Sequence, residues 1–297
     1  MTSQGELLVR VLLGLGAVLV VPVALPLLGA VPTRPIARAS AWLLRFGSVG
    51  LGAALMIGSG PIAVALALPW TIGAAAQAVV RLHTAARDVS LDRLVAAIAT
   101  VWLAMAGMWM CFALTGPGAP ATPAYLRWPT PAHFLYAGFA LTTIAATLHR
   151  TRRTTATTVA MFGVLGGMPL LAIEIGFAPS AQWTGALLIG TAALLVAIQQ
   201  LIAAVTAVPR RAANLLRASS AALGAAMVLA IGYGLSTRFG FTWLSLDAMA
   251  AIHGVLNTFG FAMLAVVGWR ITTTTTSDER HPAHEQLAAD EQLGGRT

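Results

Sequence analysis

Five side chains in this sequence pair a chemical capability with an apolar setting: His133, Tyr136, Glu174, His253 and Asn257. His253 and Asn257 are spaced i,i+4 and His133 and Tyr136 i,i+3, so each pair would share one helix face. Glu174 sits between Ile173 and Ile175, with no other acid or base in its apolar stretch. An imidazole near a carboxylate can relay a proton or hold a polar solute. Two imidazoles on facing helices can also ligate a b-type haem. Met105, Met108, Met110 and Cys111 form a second group, whose soft sulfurs would suit Cu(I) and equally fill gaps in apolar packing. Haem b and copper are thus the two cofactors weighed, and none is expected. The sequence contains no phosphate-binding glycine loop, no HExxH and no Gly-x-Ser-x-Gly, so no catalytic residue is assigned. Cys111 is the single cysteine, which excludes an internal disulfide and any cysteine-held cluster.

The elements that must position these groups follow from composition. Of 297 residues, 58% are apolar and 9% charged, far below the roughly one quarter charged of soluble domains. A soluble enzyme, a nucleic-acid-binding domain and a disordered chain are all excluded, and an all-α polytopic transmembrane bundle remains. Nine apolar stretches are long enough to span a bilayer: 7–30, 41–58, 60–80, 94–115, 132–149, 157–178, 181–207, 218–236 and 248–271. The first is read as an uncleaved helix. Gly58-Ser59-Gly60-Pro61 predicts a tight hairpin between the second and third. The domain reading is a membrane domain over 1–271 and a polar, disordered cytoplasmic tail over 272–297 that carries His281 and His284. A loop over 116–131 holds five prolines together with Tyr125, Arg127 and Trp128 as interface anchors. No internal repeat is visible.

The net charge of +8 comes from 18 arginines and no lysine. With the N-terminus outside and the C-terminus inside, fifteen of the arginines fall on the cytoplasmic side, leaving only Arg10, Arg127 and Arg238 outside. The basic charge therefore reads as topology, and no nucleic-acid partner is expected. In this orientation His133, Glu174, His253, Asn257 and Asp247 all fall in the outer half, and His149, Gln199 and Gln200 near the inner side. The fifth, sixth and ninth helices are expected to pack together. Gly254 and Gly260 would permit close approach, Pro169 would bend the sixth helix below Glu174, and Glu174 would come within reach of His133 or His253.

Two segments, Pro131-Ala-His-Phe-Leu-Tyr-Ala-Gly-Phe-Ala140 and Ala251-Ile-His-Gly-Val-Leu-Asn-Thr-Phe-Gly-Phe261, resemble the YndJ-like family of bacterial membrane proteins. The family often has His-Phe-His-Tyr-Ala in the first segment; here Leu135 replaces the second histidine. The resemblance implies a multi-pass protein of the bacterial plasma membrane. It carries a transporter label without a substrate. The leading functional expectation is an outward-facing polar cavity that transports or senses a small solute or proton, with Glu174 protonatable and the histidines binding or relaying. A bis-His haem or metal protein, and a non-catalytic membrane assembly subunit, are the alternatives. The bilayer is the one partner the composition implies; oligomeric state is left open.

Overall fold

The structure, a computed structural model, describes residues 1–29, 35–116, 124–206 and 208–274. The prolines at 117, 120 and 123, and the tail histidines His281 and His284, lie outside the described residues. Among the described residues the chain folds into nine helices, each long and apolar enough to cross a membrane. They are α1 (Ser3–Leu28), α2 (Pro35–Ile57), α3 (Pro61–Arg87), α4 (Leu91–Leu114), α5 (Pro129–Thr151), α6 (Thr155–Phe177), α7 (Gln182–Thr206), α8 (Arg210–Phe239) and α9 (Leu246–Thr274). All nine expected spans are present, and the chain is a multi-pass membrane protein.

Local chemistry sets the helix ends. The α2–α3 hairpin turns on Gly58 and Gly60, at φ 95° and 113°, a region open to glycine without strain. Pro61 then starts α3, where its missing N–H costs nothing. Ser90 and Ser245 accept from the backbone N–H of Arg93 and Ala248 and so cap α4 and α9. Thr154 and Thr157 form a reciprocal cap on α6. Both carboxylate oxygens of Asp247 accept from the Thr2 amide, which ties the start of α9 to the start of α1.

In lipid, helices associate through close packing more than through the hydrophobic effect. Gly47 on α2 has no room for a side chain, since a Cβ there would lie 2.5 Å from the Trp70 amide nitrogen of α3. Gly167 on α6 presses likewise on the backbone of Ile189 on α7. Sequential helices α2–α3–α4 and α6–α7–α8 thus form two antiparallel groups. Helix α5 lies between them: 83% of its most apolar stretch is buried inside the protein, against 33–56% for the other eight. Helices α1 and α9 complete the centre, with α9 against α8, α1 and α5. The expected trio is only partly met, because α6 lies chiefly against α7 and the second half of α5. The α6 helix runs on through Pro169.

The three central helices share one departure from regular geometry. A π-helical segment interrupts α1 at Gly16–Val20, α5 at Phe134–Ala140 and α9 at Leu256–Met263. The three segments touch one another. A separate polar clasp joins α7, α8 and α9. The Gln200 amide donates to Leu216 O, Ser219 Oγ and Ser220 Oγ, and its carbonyl accepts from Trp269 Nε1 at 3.1 Å.

Candidate functional site

A cavity of about 490 Å³ lies in the half of the bundle where α5, α7 and α9 begin. Its walls come from α1, α5, α6, α7, α8 and α9, and it reaches that end of the bundle at Tyr125, Gln182 and Leu246. Most of the surface is apolar, with a few polar groups at fixed points, the usual make-up of a small-molecule site. Four of the five candidate residues line it: His133, Tyr136, His253 and Asn257.

Hydrogen bonding dictates what these four groups present. His133 Nδ1 lies 2.8 Å from Pro129 O, and His253 Nδ1 lies 3.0 Å from Ala226 O on α8. A carbonyl can only accept, so each Nδ1 carries the proton, and in the neutral ring Nε2 keeps its lone pair. Tyr136 donates its hydroxyl to Leu12 O on α1 at 2.5 Å, and Asn257 donates to His253 O at 3.0 Å. What these four side chains then present is chiefly acceptors, two imidazole Nε2 atoms, a phenolic oxygen and a carboxamide oxygen, beside the second N–H of Asn257. Thr258 adds a buried hydroxyl next to that of Tyr136.

The π-helical segments begin just after the two histidines, and they contain Tyr136, Asn257 and Thr258. Such turns often mark functional positions, because they re-aim side chains that a regular helix would stack. Three glycines allow the approach. At Gly16 a Cβ would lie 2.5 Å from the Tyr136 hydroxyl, at Gly254 2.9 Å from Leu12 of α1, and at Gly260 2.5 Å from Ala222 of α8. Both expected close contacts of α9 are therefore present.

Glu174 does not join the cavity. It is buried at 6% exposure, and its carboxylate accepts from the Thr184 hydroxyl and, at 2.8 Å, from the Gly185 amide, both on α7. Its neighbours Leu171 and Ile175 face the cavity, while Glu174 stands behind that wall. Depth along the helix had placed it level with the histidines. Its direction around the helix sends it to α7, where Gly185 leaves space for the carboxylate.

The sulfur group does not converge either. Met110 is fully buried, Met108 is 39% exposed, and Cys111 Sγ sits 3.3 Å from Thr71 Oγ1. Among the described residues no group of three or more His, Cys, Asp or Glu side chains is placed to hold a metal. At the cavity end, Trp128 is packed between Arg10 and Arg127, whose guanidinium carbons lie 5.6 and 5.2 Å from its ring. Burial pulls the Arg127 pKa down. The group is anchored through Nε to Ala113 O at 2.7 Å. The carbonyls of Leu12 and Ala226 that orient Tyr136 and His253 are backbone groups without a side-chain signature, and the sequence reading missed them.

The family model described as YndJ-like protein matches residues 11–261, and the chain belongs to that family. No curated protein and no solved structure gives a significant match.

Proposed function

We propose that this YndJ-like protein binds a small, largely apolar solute bearing hydrogen-bond donors, and transports or senses it from the outer face of the bacterial plasma membrane. The observation that carries this reading is the pair of imidazole acceptors. His133, Tyr136 and His253 have given their donors to backbone carbonyls, and the two free Nε2 atoms favour a ligand that supplies at least one donor, as an amine, a hydroxyl compound or a protonated solute does. The apolar walls favour a ligand with a hydrocarbon body. The arginine bias supports an outward mouth, because the arginine-poor end is the end the cavity reaches.

The test uses Ala250→Cys in a Cys111→Ala background, since Ala250 lines the cavity. A membrane-impermeant maleimide is expected to label it from outside intact cells. Ala203→Cys, buried away from the cavity, stays unlabelled. Benzylamine should slow the labelling while toluene does not, and His253→Ala should remove the difference. Absence of labelling from outside refutes an outward cavity, and equal protection by toluene refutes the donor requirement.

A second reading rests on one observation: two unengaged Nε2 atoms in one cavity are also a ligand pair for haem iron or a metal. A visible spectrum of the purified protein separates the two. A Soret band lost in both His133→Ala and His253→Ala would replace the solute reading with haem.

A further inference from the structure

A second cavity, about 240 Å³, lies at the opposite, arginine-rich end of the bundle, between the end of α1, the first part of α2 and the last turns of α3. Arg38, Arg45, Arg81 and Gln77 line it, beside Pro22 and Pro26. Arg81 is 8% exposed and donates to the carbonyls of Leu25, Leu28 and Gly29 at 3.2–3.4 Å. These carbonyls lie at the last turn of α1, the end of a helix that carries partial negative charge. The capping explains the position of Arg81 and leaves most of its charge uncompensated.

The surroundings add positive charge. Arg150 donates to Leu27 O, the carbonyl next to the Leu28 O that Arg81 binds, so two guanidinium groups gather at this helix end. Arg81 Nε is buried without a partner among the described residues. No carboxylate is among the described residues lining the cavity. The ion pairs found among the described residues join Arg93 to Asp88 and Arg153 to Asp92, neither of them at this cavity. Arg38 and Arg45 are exposed and spaced i,i+7, so they share one face of α2. Beside them Trp42 is 54% exposed and Phe46 68%. This surface is basic at the cavity and apolar alongside it.

We propose that this cavity binds the phosphate of an anionic phospholipid. Arginines within a spanning segment are costly unless an opposite charge meets them, and basic pockets between helices at the membrane boundary suit lipid headgroups. Arg81 forms the floor, Arg38 and Arg45 close over the phosphate, and Trp42 and Phe46 lie where the acyl chains run. Exposed aromatics beside the cations favour a lipid over soluble phosphate, which would gain nothing from them.

The experiment uses the full chain, purified and delipidated in a neutral detergent. Thermal unfolding is followed while phosphatidylglycerol, phosphatidylcholine or inorganic phosphate is titrated in. Phosphatidylglycerol is expected to raise the transition temperature, and the other two are not. Arg38→Gln/Arg45→Gln should weaken phosphatidylglycerol binding about 30-fold, as expected for two interfacial cations. Both are exposed, so this variant keeps the fold even where Arg81→Gln, which uncaps α1, does not. Equal effects of phosphatidylglycerol and phosphatidylcholine, or unchanged binding by the double variant, overturn the proposal. An equal effect of inorganic phosphate would assign the site to a soluble anion and overturn the lipid.

Discussion

Gly16→Ala probes the junction on which the histidine cavity is built. Its methyl would lie 2.5 Å from the Tyr136 hydroxyl and 2.7 Å from Leu135 Cδ2. Tyr136 has little freedom to withdraw, because its ring is buried and its hydroxyl is bonded to Leu12 O. Alanine gains about 1 kcal/mol over glycine in helix propensity. Against this, overpacking costs roughly 1–3 kcal/mol, and the displaced hydrogen bond costs about 1 kcal/mol in a membrane setting. The net expectation is a loss of roughly 1–3 kcal/mol. Tyr136→Phe alone removes the bond and should cost about 0.5–1.5 kcal/mol. In Gly16→Ala/Tyr136→Phe the oxygen that the methyl strikes is gone, so the losses should not add. A coupling of at least about 1 kcal/mol is expected. SDS-induced unfolding followed by tryptophan fluorescence reports this, since Trp102 stacks on Phe134 of α5 at 5.6 Å. Additivity within about 0.3 kcal/mol would refute the contact between α1 and the π-helical turn of α5.

Three further outcomes are expected. Glu174→Gln should leave stability and Ala250→Cys labelling near wild type, because a carboxamide can still accept from Gly185 and donate to Thr184. Glu174→Leu should cost roughly 1–3 kcal/mol in the same unfolding assay by stranding the Gly185 amide. A changed labelling rate in a stable Glu174→Gln protein would return Glu174 to the cavity chemistry. Gln200→Leu removes the clasp among α7, α8 and α9 and should cost about 2 kcal/mol; unchanged unfolding would show the clasp contributes nothing. A phosphatase or fluorescent reporter fused after Thr274 should report a cytoplasmic location, and periplasmic activity there would reverse the orientation.

The spans were legible because lipid leaves the chain no choice: each crossing must be apolar and helical. Their ends were less so. Helix α8 begins at Arg210, eight residues before the apolar stretch that marks it, since Arg210, Arg211, Asn214 and Arg217 extend the helix past the apolar region. Helix α9 continues to Thr274 because its threonines bond back to their own helix, as Thr274 does to Arg270 O. Helical spacing and shared depth were enough to bring His133, Tyr136, His253 and Asn257 together. Glu174 shows where that reasoning stops. Depth can be counted from a helix end, but the direction around an almost uniformly apolar helix leaves no trace in its pattern. The one available signal was Gly185 early in the next helix, opposite a carboxylate that needed a donor.

The π-helical turns were illegible for the same reason, and they matter more. A wide turn disturbs the regular backbone ladder, and within a membrane any freed carbonyl needs a donor from inside the protein. Here side chains from neighbouring helices add a second donor to backbone carbonyls at these segments: Ser219 of α8 donates to Phe261 O within the α9 segment at 3.0 Å, beside the Leu264 N–H, and Tyr136 of α5 donates to Leu12 O just before the α1 segment, beside the Gly16 N–H. His253 donates likewise to Ala226 O on the regular helix α8. Tyr136 and His253 thus spend on these carbonyls the donors they would otherwise present to the cavity. Stability of the backbone and chemical preference of the site are two results of one set of hydrogen bonds. A substitution that regularises α1 or α5 would accordingly change which ligand groups the cavity accepts, even where it leaves every imidazole in place.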